Sequence, residues 1–184
     1  MTTQARRLLL KDGVGTDVVR QFAAGQWFLW NRIEPLEHQP LVYEWATPAS
    51  DCRIRYVDDH RLGLRWFDVE GPGAAATIEL VRRSLPVYER AEIIALCSDA
   101  KTEAEGIWAA YKLAVTAEAT FDAELFGCFG DLANHRDASV RRAAVYAMEQ
   151  ARWREFAGIA EPMAEDDPSE DVRARAAALV RALQ

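Results

Sequence analysis

Side chains able to do chemistry are scattered through this sequence, and few stand at the spacing a reaction requires. Asp58, Asp59 and His60 put two carboxylates and an imidazole in succession, a set that could ligate a metal ion. Successive residues of one tight turn rarely converge on a point, so the run is read as a turn. Gly13-Val-Gly15-Thr-Asp-Val18 imitates the start of a dinucleotide loop, but Val18 stands where the third glycine belongs and no strand-helix-strand unit follows. His38, His60 and His135 lie far apart, and no H-E-x-x-H, G-x-S-x-G, P-loop or C-x-x-C spacing occurs. Cys52, Cys97 and Cys128 fit neither a disulfide framework nor a zinc site and are read as reduced, buried thiols. No catalytic residue, metal or cofactor is expected from these motifs.

The elements that would have to position any site divide by composition. The chain has 184 residues, half of them hydrophobic, with a net charge of −7. A chain of this length buries roughly 70% of its unfolded surface and needs no staple. Residues 1–85 carry 11 basic and 11 acidic groups, and residues 86–184 carry 11 and 18, so the acidity belongs to the second half. Nucleic-acid binding calls for a basic stripe, so no nucleic-acid partner is expected. There is no signal-type apolar region and no run of about 18 apolar residues, so neither export nor membrane insertion is expected and the location is read as cytoplasmic.

The first region, residues 1–73, reads as mixed α/β. Thr16 before Val18, Val19 and Phe22, with Gly25 after them, predicts a short capped helix. Residues 26–33 are aromatic and fit either element. Cys52, Ile54 and Tyr56 alternate with Arg53, Arg55 and Val57, and Leu62, Leu64 and Trp66 alternate with Gly63, Arg65 and Phe67, predicting an antiparallel hairpin with its turn at Asp58 to His60. Leu41 to Trp45 predicts a third strand. The alternation is read as placing Arg53, Arg55 and Arg65 on one sheet face, a candidate grip for an acidic surface. Gly71-Pro72-Gly73 should end the sheet.

From residue 74 onward the period becomes 3.6. Apolar stripes run through Ala74, Ile78, Val81 and Leu85, then Val87 to Ala95, then Ile107, Trp108, Tyr111 and Val115 behind a capping box of Thr102 and Glu105. Two more involve Phe121 to Leu132 and Trp153 to Met163. Within this half Asp137-Ala-Ser-Val140-Arg141-x-x-Ala144-x-x-Ala147-Met148 returns as Ser169-Glu-Asp-Val172-Arg173-x-x-Ala176-x-x-Leu179-Val180, an offset of 32 residues. Over residues 134–183 this resembles the HEAT-like short-repeat family, and more weakly over 102–133. The resemblance implies antiparallel helix pairs stacked into an α-solenoid, with Asp137, Arg141 and Arg173 tying neighbouring repeats. Arg173, Arg175 and Arg181 would face water on the last copy. The fold expected is therefore α+β, mainly α: a short antiparallel sheet region, then HEAT-like repeats over 74–184, both forming one unit.

Turning Phe121, Leu125, Phe129 and Leu132 inward leaves Glu124, Gly127 and Asp131 outward, and turning Trp153, Phe156, Ala160 and Met163 inward leaves Glu155 and Gly158 outward. By the resemblance these second helices line a concave surface, where carboxylates suit a basic protein. The expectation is a non-catalytic interaction module, an adaptor or a small inhibitor of the immunity-protein kind, holding a basic protein partner through Glu124, Asp131 and Glu155. The resemblance also leaves open an enzyme that attaches a bilin chromophore or excises a DNA base, with its site near the Trp-rich first region.

Overall fold

The computed structural model describes residues 6–184. It is α+β and mainly α, and it divides into two compact units, the second beginning at Glu89. The first unit contains β1 (Arg6–Leu9), α1 (Thr16–Ala24), β2 (Phe28–Ile33), β3 (Leu41–Ala46), β4 (Arg53–Asp59), β5 (Leu64–Glu70) and α2 (Ala74–Ser84). Its strands form one antiparallel sheet in the order β1-β5-β4-β3-β2. The expected hairpin is β4–β5 and the expected third strand is β3. The ambiguous aromatic stretch supplies β2, and the leucines before the glycines supply β1.

Directly opposed residues share a sheet face. Ile54 opposes Val69 and Tyr56 opposes Phe67, while Tyr43 and Trp45 oppose Tyr56 and Ile54 from β3. These six side chains form the floor of the core, which α1 covers with Val19 and Ala23 and α2 covers with Ala74, Ile78 and Val81, joined by Leu85 just after the helix. Ring contacts knit it: Tyr43 stacks on Trp45 at 5.4 Å, and Trp27 meets Phe67 edge-on at 6.0 Å. The stripe on α2 thus belongs to the sheet and not to the later helices. Periodicity shows that a helix has an apolar face but not which surface that face meets, so the boundary falls later than residue 73. Gly71 starts the return from β5 to α2 at φ 119°, and a Cβ there would lie 2.3 Å from the Asp51 carbonyl oxygen, so no other residue fits without moving the backbone.

Two expected local features differ. Thr16 is the first residue of α1 and Gly15 is its N-cap, because the Thr16 hydroxyl is engaged by Tyr56 and Asp58 instead. The hairpin turn begins one residue beyond Asp59, whose buried carboxylate accepts from the Arg61 and Leu62 amides and from the Arg61 guanidinium.

The second unit is helical: α3 (Arg90–Asp99), α4 (Glu103–Thr116), α5 (Ala123–Ala133), α6 (Ala138–Ala151), a 3-10 turn (Arg154–Phe156), α7 (Ala157–Asp166) and α8 (Glu170–Leu183). The expected capping box of Thr102 and Glu105 opens α4. α4, α6 and α8 lie side by side, α5 packs on α3 and α6, and α7 packs on α8. Gly106 on α4 lets α6 approach so closely that a Cβ would lie 2.7 Å from a Val140 methyl.

The sequence repeat has a structural counterpart at the same offset. Val140 and Val172 are both 0% exposed, as are Ala144 and Ala176. Arg141 donates to the His135 carbonyl at 2.9 Å and Arg173 to the Asp167 carbonyl at 2.6 Å. Asp137 N donates to His135 Nδ1 and Ser169 N to Asp167 Oδ1. Asp137 and Ser169 hold the N-cap positions, yet neither side chain bonds the helix; the residue two places earlier satisfies the amide instead. The carboxylate that joins the copies is Asp167, which takes a two-pronged bond from Arg141 at 2.7 and 2.8 Å, and not Asp137. Arg175 turns back to Glu149 on α6 at 2.6 Å and packs over Tyr146, so it ties α8 to α6 and is not simply a water-facing cap.

Candidate functional site

The three sheet arginines do not share a face. Arg53 opposes Glu70 and Arg55 opposes Asp68 on the face away from α1 and α2, whereas Arg65 opposes Asp58 on the helix-covered face. β4 runs on to Asp59 and β5 starts only at Leu64, with a four-residue turn between them where the alternation suggests three, so Arg65, Phe67 and Val69, and not Leu64 and Trp66, share the face of Ile54 and Tyr56. On the first face charge is matched across the strands. Asn31 donates to Glu44 at 2.7 Å, Arg55 lies 4.0 Å from Glu44 and 3.9 Å from Asp68, and Arg7 donates to Asp68 at 2.8 Å. Arg53 pairs with Glu70 at 3.4 Å and its guanidinium sits 5.2 Å from the centre of the Trp30 ring. Exposed pairs of this kind contribute about 0.2–1 kcal/mol each. An acidic ligand would meet a surface already neutralised.

The acidic candidates also separate. Glu124 on α5 is exposed and bound at 2.6 Å by Arg90 of α3, which also holds Asp122 at 2.9 Å. Burial acts to raise the Asp122 carboxyl, but the Leu125 amide, Arg90 and the Glu124 amide outweigh it and hold the group below its ordinary value. Asp131 on α5 and Glu155 on the 3-10 turn are exposed and have no ion pair among the described residues. Glu155 precedes α7 because α6 ends with Arg152 in the left-handed region and Trp153 folds back to donate to the Glu118 carbonyl at 2.8 Å. The structure thus brings Glu124 to Arg90, and leaves Asp131 and Glu155 open.

The sequence reading missed a patch on β2, which forms one edge of the sheet. Phe28, Leu29 and Trp30 are consecutive and are 65%, 54% and 53% exposed. Single exposed apolar residues are ordinary, but an edge strand that exposes them on both faces, Phe28 and the bulged Trp30 on the Arg53 side and Leu29 on the Trp45 side, is not. A register shift falls between Leu29 and Asn31, so Trp30 is the extra residue of a bulge and is re-aimed toward Arg53. The signal available was the run Phe-Leu-Trp itself, which does not alternate with polar residues as a half-buried strand does.

Near it, α1 and the sheet enclose a cleft of about 430 Å³ lined by Arg20, Gln21, Trp27, Leu29, Tyr43 and Trp45. Its polar rim is occupied by Arg20 paired with Asp17 at 3.4 Å.

The cysteines are free and buried. A bond with Cys128 on α5, together with burial, pushes the Cys97 thiol on α3 up, and burial raises Cys52. Cys52 and Cys97, raised in this way, are poor nucleophiles. Among the described residues no three side chains of metal-binding type gather, and no helix is long and apolar enough to cross a membrane. No protein-family model, no curated protein and no solved structure matches the chain.

Proposed function

We propose that this chain is a non-catalytic protein-binding module, an adaptor or a small inhibitor, whose main contact is the β2 edge at Phe28, Leu29 and Trp30. The observation that carries the reading is that run of three exposed apolar side chains, flanked by Arg53 and by a polar rim of Asn31 and Glu44. Aromatic anchors beside an arginine, surrounded by polar groups, are the composition of a binding hot spot. Further support comes from where the perturbed charged groups are spent: Asp59 on a turn, Asp122 with Arg90 on a helix cap, and Asp167 with Arg141 on an interhelix tie. We read the helical unit as a short HEAT-like solenoid, supported by the buried valines and arginine bonds that recur at the 32-residue offset.

Asp131 and Glu155 favour a second contact, with a basic protein surface, because their charges are exposed and unpaired among the described residues. The excess acidity of residues 86–184 supports a protein partner over a nucleic acid. The test is capture of partners from the native cell by the wild-type chain and by the Phe28→Ser/Trp30→Ser double variant. Loss of a stoichiometric protein with the variant supports the reading. An unchanged set of captured proteins overturns it.

A further inference from the structure

At the end of the sheet opposite the start of β4, a groove of about 630 Å³ is bordered by the loop after β2 and the β4–β5 turn, with Pro35, Leu36, Leu41, Asp58, His60 and Arg65 in its lining. Arg65 is not loose there. Its Nε donates to Asp58 Oδ2 at 3.0 Å, and the same oxygen accepts the Thr16 hydroxyl at 2.5 Å. Because Thr16 gives its one proton to Asp58, the Tyr56 hydroxyl donates to Thr16, at 2.8 Å. Tyr56 is fully buried, and burial pushes its phenol up to about 12, so this donor is constant at any working pH. A relay anchored in the core therefore fixes a guanidinium and a carboxylate side by side at the groove.

Neither group is used up. Among the described residues, the two terminal nitrogens of Arg65 and the Oδ1 of Asp58 have no hydrogen-bond partner in the protein. A simple anion drawn to Arg65 would be repelled by Asp58 and by Glu37 on the rim, and a simple cation drawn to the acids would be repelled by Arg65. A molecule carrying both charges on neighbouring atoms matches the pair. Beside the charges lie Pro35, Leu41 and Leu36, the last 64% exposed, which offer an apolar shelf.

We propose that this groove binds a small zwitterion of the α-amino-acid type with an apolar side chain: its carboxylate on Arg65, its ammonium on Asp58 Oδ1 and its side chain against Leu36, Leu41 and Pro35. The size of the groove lies within the range of ordinary small-molecule sites. No covalent step is involved, and the site is separate from the β2 patch.

The experiment is an amide-resolved NMR titration of the full chain with L-leucine, N-acetylleucine and leucinamide. Leucine should give saturable shifts centred on Leu36, Asp58, Gly63 and Arg65. N-acetylleucine, lacking the ammonium, and leucinamide, lacking the carboxylate, should each bind at least about tenfold more weakly. Arg65→Gln should abolish the preference for leucine over leucinamide. Leu36→Asp, an exposed change that leaves the relay intact, should weaken leucine binding, with amide shifts away from the groove unchanged as the check that the chain is folded. Absence of saturable shifts at tens of millimolar, equal affinity for all three probes, or leucine binding indifferent to Leu36→Asp would overturn the proposal.

Discussion

Arg141 and Asp167 show how much of the helical unit rests on single residues. Their side chains are nearly buried, at 12% and 4% exposure, and make two parallel charge-assisted bonds while Arg141 also reaches two carbonyls of the α5–α6 loop. Removing one partner leaves the other charged and short of bonds, so Asp167→Asn should cost about 3 kcal/mol in urea unfolding. The double variant with Arg141→Gln should cost less than the sum of the singles, because each single change already breaks the same contact. The bond from Arg141, with the Ser169 amide assisting against burial, holds the Asp167 carboxyl below the ordinary aspartate value of 3.8. A depressed folded value means the stabilisation is fully present above that ordinary value and is lost as pH falls through the folded one. The wild type should therefore lose its stability advantage over Asp167→Asn below about pH 4, and an advantage that persists unchanged to lower pH would contradict the tie.

Among the elements, α4 and α6 approach closely, since a Cβ on Gly106 would lie 2.7 Å from a Val140 methyl. Gly106→Ala should destabilise by about 1–3 kcal/mol despite the better helix propensity of alanine, and Val140→Ala introduced with it should restore part of that loss. Equal, additive losses would show that the helices adjust freely. The repeat was legible in the sequence because a helix stripe and an arginine recur together, and the recurrence predicts equivalent burial without any knowledge of what the stripe meets. The β4–β5 hairpin was legible from its alternation. The phase of β5 was not, since it depends on where the Asp59 carboxylate ends the strand, and a residue such as Arg65 changes face when a turn moves by one. The ownership of α2 was hidden for the same kind of reason: its apolar stripe is indifferent between a sheet and another helix. Nothing in β2 alternates, so its exposed edge became visible only once the strand order placed it outermost. Of the candidate contact residues, Asp131 and Glu155 stand open as read, Glu124 is partly neutralised by an arginine the sequence places on another helix, and Arg65 belongs to a different surface from Arg53 and Arg55.

On the scale of the whole molecule, a neutral sheet unit carries the apolar patch and an acidic helical unit carries the excess charge. The two features make different contributions to binding. Apolar anchors set the lifetime of a complex, while exposed charge sets the rate of encounter and its dependence on salt. Reversal of Asp131 and Glu155 to lysine should slow association with a basic partner severalfold at low salt, change little near physiological salt, and leave the melting temperature within about a degree or two. Association unaffected at any ionic strength would reduce the acidic surface to a solvated face. The central claim, that β2 is the contact, is tested most directly by amide hydrogen exchange of the chain free and bound to its captured partner. Slowed exchange concentrated in residues 28–33 is the result expected, and unchanged exchange there with new protection confined to α5 and the 3-10 turn would contradict it.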